Sequence, residues 1–284
     1  MPPTRRTRFA PVALAALLLA APATFAHDGV PAAPAAPVDF PTSCTPAAQA
    51  DFTAALTLWH HMTYPQAREA FAALAAREPA CAMAHWGVAM TLFQPLWPTR
   101  PSPSDLQRGR EAVAAARAAQ APTEREQLYL DAAEAFFREP ADDYWQRIGR
   151  WAEATRLLAE ALPHDPEAQL QQALALLATT PPGSADRSHA DTAAAILERV
   201  LAANPGHPGA LHYLVHANDV PGRERASGDI ARRYEAIAPD NPHALHMPTH
   251  LYTRLGDWPF FGALALGFLL SIFAVWRERK GSMP

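Results

Sequence analysis

The chain has 284 residues, of which 49% are hydrophobic and 18% are charged, and its formal net charge is −4. This length allows one or two domains with a hydrophobic core, and scattered basic residues without a basic stripe exclude a typical nucleic-acid-binding surface. Alanine, leucine, glutamate and arginine are abundant, which favours helices.

Residues 1–26 are predicted to be a secretory signal peptide. Three arginines lie within the first eight residues, the segment FAPVALAALLLAAPA is apolar, and TFA before His27 resembles a cleavage site. The mature chain is therefore expected to begin near His27 and to lie outside the bacterial cytoplasm.

The segment that follows, residues 27–46, is rich in proline and alanine and is predicted to be an extended linker. The chain contains two cysteines, Cys44 and Cys81. An even number of cysteines in an exported chain favours a disulfide, and two separate thiols are the alternative.

Helix pairs are predicted from residue 47 to residue 258. The second helix of each pair ends near a proline, as in PQAREAFAALAAREP, WAEATRLLAEALPHDP, DTAAAILERVLAANP and GDIARRYEAIAP. Steps of three and four residues place side chains on one helix face. Small or apolar residues precede the proline at steps of four, three and five in three of these helices: Ala67, Phe71, Leu74 and Pro79; Ala154, Leu158, Ala161 and Pro166; Ala193, Leu197, Val200 and Pro205.

This pattern resembles the tetratricopeptide repeat (TPR), and a looser fourth copy ends at Pro239. The resemblance implies an all-α fold, a right-handed solenoid of helical hairpins in which each hairpin packs against its neighbours. It also places Cys44 before one repeat and Cys81 at the start of the next, so that the two thiols lie at neighbouring ends.

Four strings resemble a narrower group of exported bacterial TPR proteins: SCTPAAQADFTAALTLWHHMTYPQAREAF, EPACAMAHWGVAMTLFQPLW, HPGALHYLVHANDVP and IAPDNPHALHMPTHLYTRLGDW. The resemblance covers residues 40 to 258 and implies a repeat fold and export. Members of this group continue with further repeats after the RLGDW turn, whereas this chain continues with an apolar segment.

Histidines are concentrated near the end of the repeats, where six of the twelve lie between residues 207 and 250. ALHYLVH at 210–216 is echoed by ALHMPTH at 244–250, so two histidine pairs recur at one repeat length: His212 and His216, His246 and His250. A spacing of four places each pair on one helix face. In tetratricopeptide repeats, the corresponding positions normally hold apolar residues that pack inward. The first helices of adjacent repeats lie side by side, about 8–10 Å apart. The four rings are therefore expected to face one volume.

Four imidazoles facing one volume are candidate ligands for zinc, copper or iron, because neutral imidazoles at this spacing form half of a metal site. Asp219 is a candidate for completing the ligand shell or orienting a ring, and His207 and His243 are candidates for a wider polar site. The alternative is a hydrogen-bonded network copied by repeat duplication. His60, His61 and His85 lie in the first repeats and are expected to be too far away to take part.

The segment PFFGALALGFLLSIFAVW, residues 259–276, contains no charged residue. Its length suits a transmembrane helix, and the basic residues of 277–284 would remain cytoplasmic by the positive-inside rule. There are two alternatives to a membrane span. The segment could be an apolar last helix that covers a soluble core, or it could result from truncation of a longer repeat array.

The sequence favours a membrane-tethered periplasmic TPR scaffold that binds a peptide or protein partner. The alternative is a metal-binding protein or metal-dependent enzyme centred on the four histidines, with Asp219 and Glu235 as the candidate acids or bases. Neither a zinc-protease HExxH motif nor a nucleophile elbow, phosphate loop or dinucleotide fingerprint occurs. No catalytic residue is predicted.

Overall fold

The computed structural model describes residues 38–119, 123–139, 143–180, 184–255 and 262. These residues form α-helices and one short 3₁₀ helix, Glu224–Ser227, and no β-strand occurs among them. The all-α class predicted from the sequence is therefore confirmed. The α-helices are α1 (Pro46–His60), α2 (Tyr64–Arg77), α3 (Ala82–Met90), α4 (Pro103–Ala118), α5 (Glu124–Phe137), α6 (Tyr144–Ala161), α7 (Pro166–Ala178), α8 (Ser188–Ala203), α9 (Pro208–Asn218), α10 (Gly228–Ile237) and α11 (Pro242–Leu255).

Local sequence determines where many of these helices begin. An oxygen-bearing side chain before a helix accepts a hydrogen bond from a first-turn N–H, which would otherwise lack a partner. Proline is also tolerated in the first turn, where its missing N–H costs nothing, and it occurs there in α1, α2, α4, α7 and α9. The capping side chains before α1, α4, α5, α6 and α7 are Thr45, Ser102, Thr123, Asp143 and Asp165.

The four predicted second helices are present as α2, α6, α8 and α10, and each ends before its proline. A residue that precedes a proline rarely adopts the helical conformation, because the proline ring clashes with its backbone. The prolines therefore account for these helix ends. The predicted inward faces of α2 and α8 are buried. In α6 the buried face is rotated, since Trp151 and Thr155 are buried while Ala161 is exposed.

Each α-helix packs against the next one in the chain. Alternate helices also contact one another: α1 with α3, α3 with α5, α7 with α9, and α9 with α11. One contact joins distant parts of the chain: α1 packs against α9. Because of this contact, the C-terminal end of α1 lies close to the histidine pairs.

The end of the predicted linker joins the core. Residues 38–45 form no helix, but Val38 and Phe40 are buried, and the Phe40 ring lies 5.1 Å from that of Phe52 and 4.7 Å from that of Tyr129. The predicted disulfide between Cys44 and Cys81 is present, with a Cα–Cα separation of 5.0 Å. Closing this loop stabilises the fold by about 3–4 kcal/mol in the chain-entropy model.

The predicted signal peptide, most of the linker and, apart from Gly262, the predicted membrane segment 259–276 lie outside the described residues. Among the residues that the structure does describe, none of the helices combines the length and the apolar character that a membrane span requires.

Candidate metal centre

Three histidines converge where α9 packs against α11; we call His212, His216 and His243 the histidine triad. The Nε2 atom of His212 lies 3.2 Å from Nε2 of His216 and 3.0 Å from Nε2 of His243. His212 and His216 are four residues apart on α9, so both rings project from one face, and His243 lies in the first turn of α11. The ring of His212 is fully buried, and the other two are partly buried.

The other nitrogen of His212 determines its tautomer. Its Nδ1 atom lies 2.5 Å from the backbone oxygen of His60. That carbonyl is in the last turn of α1, where helical carbonyls lack an intrahelical partner. Because a carbonyl can only accept, Nδ1 carries the proton, and Nε2 of the neutral ring presents its lone pair to the triad.

Burial keeps these rings neutral. Burial, together with a smaller contribution from nearby histidines, lowers the pKa of His216 to about 3 and that of His243 to about 4. Burial also places the pKa of His212 well below its usual value, with contributions from His216 and His243. At neutral pH the triad therefore consists of neutral imidazoles, the form that binds metals.

Two of the nitrogen separations in the triad match those of metal ligands. With metal–nitrogen bonds of about 2.0–2.1 Å, two ligand nitrogens on an octahedral or tetrahedral ion lie roughly 2.9–3.4 Å apart. Both separations from His212 fall in this interval, and all three ligand atoms lie within 4.8 Å of one another.

The second predicted pair lies beside the triad and not within it. Nε2 of His250 is 3.1 Å from Nε2 of His246, and Nδ1 of His250 is 3.1 Å from Oδ2 of Asp219. The ring centroids of His216 and His250 are 6.2 Å apart. Partial burial would raise the pKa of Asp219, but hydrogen bonds from His250 and Arg254 hold it below its usual value. The structure thus brings two of the four predicted ligands together with His243 and leaves His246, His250 and Asp219 as neighbours.

A second buried group, which we call the carboxylate cluster, consists of His60, Glu167 and His207. Nε2 of His207 lies 2.9 Å from Oε1 of Glu167, and Nε2 of His60 lies 3.0 Å from Oε2. The His60 contact departs from ideal hydrogen-bond direction, although its distance is that of an ion pair. All three side chains are at most 2% exposed.

Glu167 is an ionised carboxylate in this cluster. Burial by itself would raise its pKa, but His60 and His207 outweigh burial and lower the pKa below its usual range. Nδ1 of His207 accepts the N–H of Ala210, so Nε2 carries the proton that is donated to Glu167. The carboxylate accepts a hydrogen bond from His207 and lies close to His60, so this cluster contains a negative charge that the triad lacks.

From the sequence, His60 and His61 were expected to lie too far away to take part and Glu167 was not singled out, yet the structure brings His60 to both His212 and Glu167. The contact of α1 with α9 brings Nδ1 of His60 within 3.1 Å of the Tyr213 hydroxyl, and Nδ1 of His61 within 2.8 Å of the Tyr234 hydroxyl. The available signal was a pair of adjacent histidines at the end of an apolar helix, ALTLWHH. The two tyrosine partners could not be read from it, because they lie more than 150 residues away.

No protein-family model matches the chain, and no curated protein is similar enough to match it. The function is therefore inferred from the two clusters. Both are potential metal-binding groups by their residue types. Only the triad places three nitrogens together without a carboxylate between them.

Proposed function

We propose that this protein binds a transition-metal ion through the Nε2 atoms of His212, His216 and His243. The observation that carries the proposal is the convergence of these atoms at separations of 3.0 and 3.2 Å from His212. The metal-binding hypothesis drawn from the sequence is thereby given a different ligand set, in which His243 replaces His246 and His250.

Hydrogen-bond accounting supports this proposal. Nε2 of His212 has one lone pair and faces two other Nε2 atoms. It can accept one N–H in good geometry, so the second Nε2 either shares this lone pair or directs its own lone pair at it, which is unfavourable. A cation at the centre accepts all three lone pairs and removes this competition.

The ligand chemistry points to zinc, copper or iron, since imidazole suits each of these ions. The Nδ1 hydrogen bond from His212 to the His60 carbonyl is the type of outer contact that orients metal-ligating histidines. Three protein ligands leave one position of a tetrahedral ion open, as in catalytic zinc sites.

Metal loading tests the proposal directly. Protein purified without an affinity tag is incubated with zinc, dialysed and analysed for metal by mass spectrometry. We expect one ion per chain in the wild type and an affinity about 100-fold lower or worse in His243→Ala, because loss of a ligand exceeds the effect of losing an outer contact. The same comparison is repeated with copper and iron.

His164→Ala is the matched control, because His164 is an exposed residue between α6 and α7. It should retain full metal content, and circular dichroism checks that both variants are folded. If the wild type retains none of the three metals, or if His243→Ala binds as tightly as the wild type, the proposal is wrong.

Partner binding is a second candidate, in which the hairpins form a right-handed TPR-like solenoid on an exported protein anchored by residues 259–276. The packing of each helix on the next is compatible with such a solenoid. Trp97 and Trp145 are 37% and 45% exposed, and the Arg100 guanidinium lies 5.4 Å from the Trp145 ring. Tryptophan and arginine are enriched at interfaces. A peptide or protein crosslinked in periplasmic extract should be lost in Trp145→Ala and retained in Leu157→Ala, which alters another exposed apolar residue.

Periplasmic export and membrane anchoring are tested by fractionation of bacteria that express the full chain. The full chain should begin near His27 and sediment with membranes, whereas a chain ending at Trp258 should be released with the soluble periplasmic proteins. Recovery of both chains in the same fraction would refute the anchor.

A further inference from the structure

A pocket of about 240 Å³ lies directly beside the histidine triad. Its polar wall contains His216, Asp219 and Arg254, and its apolar wall contains Leu96, Leu177 and Val220. His216 belongs both to the triad and to this wall. An ion held by the triad would therefore lie next to a space that a small molecule can enter.

The neighbouring carboxylate does not close the metal centre. One oxygen of Asp219 accepts a hydrogen bond from Nδ1 of His250, and the other accepts one from Nε of Arg254. Asp219 does not belong to the group of ligand atoms that lie within 4.8 Å of one another in the triad, so the coordination position left open by three histidines remains for a ligand in the pocket.

The charges in this pocket favour an anion. Three neutral histidines do not reduce the charge of a divalent ion, and Asp219 is balanced by Arg254. Within the described part of the chain, Arg254 makes no ion pair other than this one, so its terminal amino groups can also donate to an anion. Arginine is suited to such contacts because its planar group matches a carboxylate.

We propose that this pocket binds a small monocarboxylate with a short apolar body. The carboxylate takes the open position on the ion and contacts Arg254, and the apolar body packs on Leu96, Leu177 and Val220. This inference rests on the proposed metal site and adds the chemical class of its ligand. A polar head with an apolar wall is the usual composition of a small-molecule site.

Butyrate and cobalt are the probes. Cobalt(II) replaces the ion in the full-length protein, and its visible absorption reports a change of ligand. Butyrate should shift the spectrum saturably, whereas 1-butanol, which has the same apolar body without the charge, should not. Arg254→Gln should weaken butyrate binding about tenfold while cobalt content is unchanged.

Arg232→Gln is the matched control, since Arg232 is a half-exposed arginine on α10 outside the pocket. It should bind butyrate like the wild type. Inorganic phosphate is titrated in parallel, and a response to phosphate without one to butyrate would overturn the assignment of an organic ligand.

The two proposals fail differently. A protein that binds no cobalt refutes the metal centre itself. A protein that binds cobalt but gives no spectral response to butyrate refutes the pocket ligand and leaves the metal centre standing. An unchanged butyrate affinity in Arg254→Gln also overturns the inference.

Discussion

The histidine triad and the carboxylate cluster use the same side chain in opposite ways. In the carboxylate cluster, Glu167 lies between His60 and His207, accepts a hydrogen bond from Nε2 of His207 and has its other oxygen 3.0 Å from Nε2 of His60. In the triad three neutral rings direct nitrogens at one another with no acidic group between them. The comparison teaches that the partner of a buried histidine, and not its burial, distinguishes the carboxylate cluster from the proposed metal site.

The largest effect is expected from removing the carboxylate. Glu167→Gln should lower the free energy of unfolding of the metal-free protein by about 2–3 kcal/mol, because the amide NH₂ group cannot accept from a buried imidazole. Urea unfolding measures this change. His243→Ala should lower the same quantity by less than about 1 kcal/mol, since the His243 ring is only partly buried and shares its contact on His212 with His216.

Exposed Glu198 supplies the control for that comparison, and Glu198→Ala should leave stability nearly unchanged. Zinc content should remain at one ion per chain in Glu167→Gln under native conditions. If Glu167→Gln is as stable as the wild type, the carboxylate cluster does not have the structural role assigned to it.

A glycine beside the carboxylate cluster should have the next largest effect. A Cβ atom on Gly209 would lie 2.4 Å from Nδ1 of His60, so Gly209→Ala must displace that buried ring. Overpacking of this kind costs typically 1–3 kcal/mol, and thermal unfolding should show about 2 kcal/mol.

Gly149 is the matched helical control, because a Cβ atom there meets nothing within 4 Å. Gly149→Ala should stabilise the protein by about 0.4–1 kcal/mol. Equal effects of the two substitutions would show that the close approach of His60 to α9 does not constrain the fold.

The smallest effect, counted per titrating group and per pH unit, is expected from acid. The pKa values of His216 and His243 are lowered to about 3 and about 4, so the unfolded chain binds more protons below its usual histidine pKa near 6.5. Stability of the metal-free protein should therefore fall as pH decreases from about 6.5 toward 4, by about 1.4 kcal/mol per pH unit for each group.

The carboxylate cluster responds in a lower window. The pKa of Glu167 is lowered in the folded protein. Its contribution to the free energy of unfolding is therefore present above the usual glutamate pKa of about 4.5, and this contribution is lost only as the pH falls below that value. His243→Ala should reduce the slope between pH 6.5 and 4, whereas Glu167→Gln should not. Chemical unfolding at several pH values separates the two clusters, and identical slopes in all three proteins would contradict the assignment.

Much of the local structure could be predicted from the sequence. Helices α2, α6, α8 and α10 follow from apolar periodicity and from the prolines that end them. The spacing of His212 and His216 also predicts one shared helix face, because a helix turns in 3.6 residues whatever surrounds it. The same reasoning failed in α6, whose buried face is centred on Trp151 because the large ring, and not the predicted small residues, packs inward.

The ligand set shows where local reasoning ends. The equivalence of the two ALHxxxH strings predicts four rings in one volume, yet His243 reaches His212 and His246 does not join the triad. The offset between α9 and α11 along their axes determines which histidine of α11 lies beside His212. This offset depends on how whole helices pack.

The sequence by itself determined the helices, their ends and the histidine pairs, because these depend on interactions over three or four residues. Only the tertiary structure decided that α1 contacts α9, that the His60 carbonyl orients His212, and that Glu167 occupies one histidine cluster but not the other. These contacts join residues 40 to 152 positions apart. Their formation depends on the packing of many helices at once, which no local pattern encodes.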